Sequence, residues 1–268
     1  MSAPILVFDS GVGGLTVLAE IHKLLPDVST IFAADTAAFP YGRLTDDALK
    51  ERVMAVMERL IGDIAPALVV IACNTASTLI LKPLRARFAV PFVGTVPAIK
   101  PAAAQTKSGL ISVLATPGTV SREYTAELIR DFAADKCVTL VGSRALAALV
   151  EAALRGERVK DEAIAAEIAP AFVEQDGKRT DAIVLACTHY PLLTPTFERL
   201  APWPVIWIDP APAIARRVRD VLAASAIDTG APIHRALVTS NGATVRALAA
   251  VLSRFGLGVP DIVTVPGA

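Results

Sequence analysis

The chain carries no charge imbalance: its 268 residues hold 26 Lys and Arg against 26 Asp and Glu. Without a steering field it has no electrostatic reason to seek nucleic acid or an anionic membrane, so a small-molecule ligand is the expected partner. Cysteine is scarce. The three present, at 73, 137 and 187, include no CxxC pair, which excludes a disulfide framework and a thiolate zinc site and leaves free thiols. Long apolar runs are missing too. The longest, such as 64–73, reach ten residues, half of what a membrane-spanning helix requires. Nor does the start of the chain show the basic segment, apolar stretch and cleavage site of a signal peptide. A cytoplasmic location is expected.

What is present is an ample core, with 53% hydrophobic residues, enough for one large domain or two of about 100 to 150 residues. Strand-like segments are expected at 4–8, 30–34, 67–72, 91–94, 110–114, 137–141, 181–186, 205–208 and 236–239, with amphipathic helical stretches between them, for example 46–61 and 118–130. This alternation is the pattern of an α/β fold with a mostly parallel sheet. Each half opens with a strand, a tight loop and a helix: Val7-Phe8-Asp9-Ser10-Gly11-Val12-Gly13-Gly14 in the first and Val113-Leu114-Ala115-Thr116-Pro117-Gly118-Thr119 in the second. A cysteine closes a later strand in both halves, 64 residues after Asp9 and 71 after Thr116. The expectation is two pseudo-symmetric α/β domains, 1–97 plus 210–268 carrying Cys73 and 98–209 carrying Cys187, with the active site in the cleft between them.

Cys73 follows Ala67-Leu68-Val69-Val70-Ile71-Ala72, and Cys187, 114 residues later, follows Asp181-Ala182-Ile183-Val184-Leu185-Ala186. Branched apolar runs of this kind are strands covered on both faces, and in open α/β sheets ligands bind at the ends where such strands leave the core. Two thiols placed equivalently in two half-molecules could face one carbon from opposite sides. That arrangement suggests stereochemical inversion by two bases. Cys137, in Lys136-Cys137-Val138-Thr139-Leu140, has no such setting and reads as a small buried hydrophobe.

The glycine loop at 9–14 fails as a nucleotide site, because position 16 is Thr and no GKS or GKT follows. It still permits a tight turn and offers helix N–H groups to an anion such as a carboxylate. Asp9 could accept from an ammonium group or tune a thiol; its bland reading is a helix cap. Phe39-Pro40-Tyr41-Gly42-Arg43 is a turn presenting a hydroxyl. Asn74, Thr75, Thr188 and His189 follow the thiols directly and supply donors and acceptors from both halves. A helix beginning at 74 would also favour a thiolate at Cys73 through its dipole. His189 could pair with Cys187 as in a Cys/His hydrolase, but that leaves the second thiol unexplained. His22 and His234 have no partner pattern and read as surface or structural. None of the eight lysines falls in these motifs, so a Schiff base has no candidate, and neither cofactor nor metal is expected.

DSGVGG at 9–14, PYG at 40–42, CNTAS at 73–77, ATPGTV at 115–120 and CTHYPLL at 187–193, taken together and in order, resemble the glutamate racemase family from about residue 5 to 255. The resemblance implies cofactor-independent interconversion of L- and D-glutamate, with D-glutamate supplied to peptidoglycan. It assigns Cys73 and Cys187 as the catalytic pair, with Asp9 and His189 assisting. The substrate would be lined by Asp9, Ser10, Tyr41, Gly42, Asn74, Thr75, Thr188 and His189, and Thr116 could support the site. The chain departs from the pattern at Gly142-Ser143-Arg144-Ala145-Leu146-Ala147-Ala148-Leu149-Val150-Glu151, where the family often has a Cys-Pro-Leu stretch before Leu-Val-Glu. Glu151 matches the supporting acid of relatives, or is a helix-surface charge. A homodimer is left open. A non-catalytic binding protein is the remaining alternative, and exchange of a substrate Cα–H separates it and the hydrolase from a racemase.

Overall fold

The computed structural model describes residues 3–223, 231–240 and 243–265. Its strands are β1 Ile5–Asp9, β2 Thr30–Ala34, β3 Leu68–Ile71, β4 Phe92–Gly94, β5 Leu110–Ala115 and β6 Cys137–Gly142. They continue with β7 Glu174–Gln175, β8 Lys178–Arg179, β9 Ala182–Ala186, β10 Ile206–Ile208, β11 His234–Val238 and β12 Asp261–Ile262. The helices are α1 Leu15–Leu24, α2 Asp46–Ile64, α3 Asn74–Arg87, α4 Ile99–Gln105, α5 Pro117–Val120 and α6 Glu123–Phe132. After them come α7 Leu146–Leu154, α8 Asp161–Ile168, α9 Thr194–Leu200, α10 Ala211–Leu222 and α11 Ala243–Ser253.

The chain divides into two compact units, one formed by residues up to Thr95 and from Ala211 onward, the other by Val96–Pro210. In the first, six parallel strands lie in the order β12-β11-β2-β1-β3-β4. In the second, four parallel strands lie in the order β10-β9-β5-β6, beside a short antiparallel β7–β8 hairpin. The inner order β2-β1-β3-β4 of the first sheet repeats as β6-β5-β9-β10 in the second. Every residue of β1, β3, β5 and β9 is buried, as central strands of a parallel sheet must be when helices cover both faces.

Three sequence expectations change. The helix expected over 118–130 is two helices, because Arg122 has extended backbone angles and the Thr125 hydroxyl takes the Thr119 carbonyl that a continuous helix would use. Cys137 is exposed: β6 is an edge strand with most of its residues open, and the thiol donates to Gln175 Oε1 at 3.5 Å. Of the surface and structural readings of His22 and His234, the structural one holds, and it is the start of β11 that changes. His22 Nε2 and His234 Nδ1 both bond the Thr30 hydroxyl at 2.9 Å, with the rings 4.3 Å apart, so β11 begins two residues earlier than its apolar pattern suggests. Among the described residues, no helix is long and apolar enough to cross a membrane.

Candidate active site

The first constellation forms where β1 and β3 leave the sheet side by side. Phe8 pairs with Ile71, and the Ala72 N–H donates to the Phe8 carbonyl at 2.8 Å. That register brings Asp9 and Ser10 to Cys73. Asp9 Oδ1 accepts the Ser10 N–H at 2.6 Å, and Ser10 Oγ lies 3.7 Å from Cys73 Sγ. Asp9 does not cap α1, whose N-cap is Gly14 and has no side-chain cap bond. Gly14 is required by close approach, since a Cβ there would stand 2.9 Å from Asp9 Cβ and 3.1 Å from Ala72 Cβ. Cys73 is the N-cap of α3, so the sulfur sits at the positive end of a fourteen-residue helix. Asn74 is 2% exposed, and neither atom of its amide has a hydrogen-bond partner. A buried amide left in this way is costly unless a ligand satisfies it. Thr75 is buried beside it, and Gly42 is half-buried in the turn that carries Tyr41.

Tyr41 does not offer its proton outward. Fully buried, it donates to Asp35 Oδ2 at 2.5 Å, and burial followed by Asp35 and Cys73 pushes the phenol well above its ordinary range. Asp35 is the hub of this region. It also receives Arg52 Nε at 2.8 Å and Nη2 at 2.5 Å, together with the Thr239 hydroxyl at 2.7 Å. Sequence reasoning missed Asp35 and Arg52, although one signal was available: Asp35 immediately follows β2, whose last residue Ala34 pairs with Asp9.

The second constellation repeats the plan. Ala115 pairs with Ala186, which places Thr116 and Cys187 at neighbouring strand ends, as Ser10 and Cys73 are in the first unit. Thr116 caps α5 by accepting the Thr119 N–H at 3.4 Å. Cys187 Sγ lies 3.7 Å from His189 Nδ1, His189 Nε2 lies 3.0 Å from Glu151 Oε1, and Arg155 Nη1 donates to Glu151 Oε2 at 3.3 Å. Glu151 is 6% exposed on the buried face of α7, so the surface-charge alternative does not hold. Thr188 and His189 are buried with it. Among the described residues no group of three or more His, Cys, Asp or Glu could hold a metal ion.

The fold is that of an α/β protein with a buried thiol at the end of a central strand in each unit, a setting suited to thiol acid–base or nucleophilic chemistry. The Asp/Glu/Hydantoin racemase family model matches residues 8–218. The glutamate racemase of Brucella anthropi is 54% identical over 257 residues, covering 95% of this chain and 92% of the relative. That of Agrobacterium fabrum is 59% identical over 220 residues, covering 82% and 81%. The crystal structure of Escherichia coli glutamate racemase in complex with L-glutamate and the activator UDP-MurNAc-ala superposes with a TM-score of 0.91 at 41% identity, covering 98% of this chain and 99% of that one. The chain belongs to the Asp/Glu/Hydantoin racemase family and is an isomerase of amino acids.

Proposed function

We propose that the protein interconverts L- and D-glutamate without a cofactor, using Cys73 and Cys187 as its two acid–base groups. The observation that supports this reading is the repetition. In each unit a buried thiol ends an equivalent strand and is followed through one polar side chain to a carboxylate: behind Cys73 the Ser10 hydroxyl, which donates to Asp9 Oδ1 at 3.4 Å, and behind Cys187 His189 and Glu151. Glutamate as the substrate rests on the likeness to glutamate racemases.

The reaction asks a weakly acidic Cα–H beside an ionised carboxylate to leave as a proton. Developing carbanionic charge must be met by donors fixed in a site poor in water. The unpartnered Asn74 amide, with Thr75 and Thr188, suits the α-carboxylate and ammonium groups, and Ser10, Tyr41 and Gly42 complete the lining. One sulfur starts as thiolate and takes the Cα proton; the other starts as thiol and returns a proton to the opposite face. The two have then exchanged states, and the enzyme is ready for the other enantiomer. A thiol pKa is ordinarily near 8.5, so both forms of such a group are within reach near neutral pH.

The contact between Cys187 and His189 favours one second reading, a Cys/His hydrolase, but that chemistry has no use for Cys73 and its partners. Incubation with L-glutamate in heavy water, without added cofactor, separates the two. The expected result is deuterium at Cα with optical activity decaying to zero; no Cα exchange would overturn the proposal. Circular dichroism decay compared for glutamate and aspartate tests specificity, and faster loss from aspartate would reassign the substrate. We place the enzyme in the cytoplasm, with its product serving peptidoglycan synthesis. Rescue of a D-glutamate auxotroph on unsupplemented medium is the expected outcome, and failure to rescue despite activity in vitro would refute that role.

A further inference from the structure

We propose that Thr239 and Asp35 are positioning residues that set the turn at 39–43 through the Tyr41 hydroxyl, a role that deepens the racemase reading and rests on its placing Tyr41 and Gly42 against the substrate. Asp35 directly follows β2, is fully buried, and receives two donors on each carboxylate oxygen. Oδ1 accepts Arg52 Nη2 at 2.5 Å and the Thr239 hydroxyl at 2.7 Å; Oδ2 accepts Arg52 Nε at 2.8 Å and the Tyr41 hydroxyl at 2.5 Å. Thr239 stands one residue beyond β11 and 204 positions from Asp35. Its hydroxyl also accepts the Ala37 N–H at 3.0 Å, and the Thr36 hydroxyl accepts the Ser240 N–H at 3.1 Å. Residues 35–37 are thereby tied to the end of β11. Six positions after Asp35 the Tyr41 hydroxyl returns to the same carboxylate, so the segment that leads into the turn is held at both ends. The Tyr41 ring lies 6.4 Å from that of Phe8, the residue before Asp9.

A phenol has one proton, and Asp35 holds that of Tyr41. Tyr41 therefore contributes the place of the turn and not a donor to the substrate. Hydrogen bonds to a carboxylate are charge-assisted, roughly twice as strong as neutral ones, which suits a tether. Thr239 acts at one remove: its hydroxyl fixes Asp35 and Ala37, and Asp35 fixes Tyr41. Loosening the tether spreads the free enzyme over turn positions of which only some bind substrate. Apparent affinity then falls by the fraction that remains competent, whereas the bound complex, in which substrate restores the turn, reacts as before. The loss belongs in KM. Since kcat/KM must change equally for the two enantiomers, unchanged kcat in both directions requires KM to rise by the same factor for each.

Thr239→Val keeps the side-chain shape and deletes the hydroxyl, and Thr239→Ser keeps the hydroxyl. The Ala37 N–H is at the surface and Asp35 Oδ1 retains Arg52, so the valine variant leaves neither group buried without a partner. In the full-length protein Thr239→Val should raise KM for L- and D-glutamate about ten-fold, equal to about 1.4 kcal/mol, with kcat within about two-fold of the parent. Thr239→Ser should return KM to the parent value. Amide hydrogen exchange, measured without substrate, should be faster at 36–43 in the valine variant alone. An unmoved KM, a loss confined to kcat, or a serine variant that behaves as the valine one would overturn the assignment. A parent protein that leaves glutamate unchanged would refute the racemase reading instead, and exchange at 36–43 would still decide the tether.

Discussion

Replacing Arg52 with methionine would leave a carboxylate without its cation in the core of the first unit. Asp35 has a fully buried side chain and that of Arg52 is 12% exposed. Removing one partner of a buried pair typically costs about 3–5 kcal/mol, because the remaining charge is uncompensated. Here each carboxylate oxygen keeps one hydroxyl donor, Tyr41 on Oδ2 and Thr239 on Oδ1, and the guanidinium is near the surface. The low end, about 3 kcal/mol, is therefore expected. For a unit of this size that corresponds to a fall in Tm of about 6–12 °C. Calorimetry and urea unfolding of Arg52→Met measure the loss. Adding Asp35→Asn to it should recover about 1 kcal/mol or more, since a neutral amide leaves no buried charge. A loss below about 1 kcal/mol, or a double mutant less stable than Arg52→Met, would refute the claim that Arg52 neutralises a buried carboxylate.

Cys73→Ala and Cys187→Ala should each abolish interconversion, while slow Cα exchange of opposite single enantiomers could survive; racemisation near the parent rate in either would sink the two-thiol mechanism. Cys137→Ala is the control, and because this thiol is exposed on an edge strand its stability should change by no more than about 0.5 kcal/mol. Asp9→Asn and His189→Asn should lower kcat with the fold intact by circular dichroism, and unchanged kcat in both would remove these side chains from the chemistry. Burial, and then His234, lowers the His22 pKa from 6.5 to about 4. The unfolded chain thus takes the proton first, and this contribution to stability is present above about pH 6.5 and is lost as pH falls toward 4. The ring is half-buried and screened by solvent, so the loss is about 1 kcal/mol. His22→Gln should flatten that slope in urea titrations, and an unchanged slope would assign it to other groups.

The elements easiest to read in the sequence were those whose local pattern and tertiary setting agree. Leu68–Ile71 and Ala182–Ala186 are uninterrupted apolar strands because both sheet faces are covered, and the polar residues after each cysteine mark the strand end. Where burial is one-sided the pattern misleads. Cys137 sits in a β-branched stretch like the others but lies on the rim of its sheet, a property of strand order and not of composition. The His22–Thr30–His234 contact joins positions more than 200 residues apart, and the two bonds from Arg52 to Asp35 span seventeen. Neither spacing is a local motif, so only the folded register reveals them. Glu151 illustrates an intermediate case, since its position on α7 left buried and exposed readings open until His189 was found against it.

The two thiols have equivalent strand positions but unlike partners. Cys73 meets a neutral hydroxyl backed by a carboxylate and lies at a helix N-terminus, whereas Cys187 meets an imidazole tied to Glu151 and, through it, to Arg155. For the proposed reaction this asymmetry has a limited means of expression. The enantiomers of glutamate have equal free energy in solution, so kcat/KM is the same in the two directions, and no arrangement of side chains, native or mutant, can make it differ. Unequal partners can change only how tightly each enantiomer is held relative to how fast it reacts once bound. A side chain that favours the thiolate at one sulfur raises the fraction of enzyme ready for one enantiomer and lowers it for the other. The benefit and the cost therefore appear in kcat and KM taken separately and cancel in their ratio. On the proposed mechanism inversion asks only for a thiol at the equivalent strand end of each unit, which leaves the differences between their polar partners free to set which enantiomer the resting enzyme awaits.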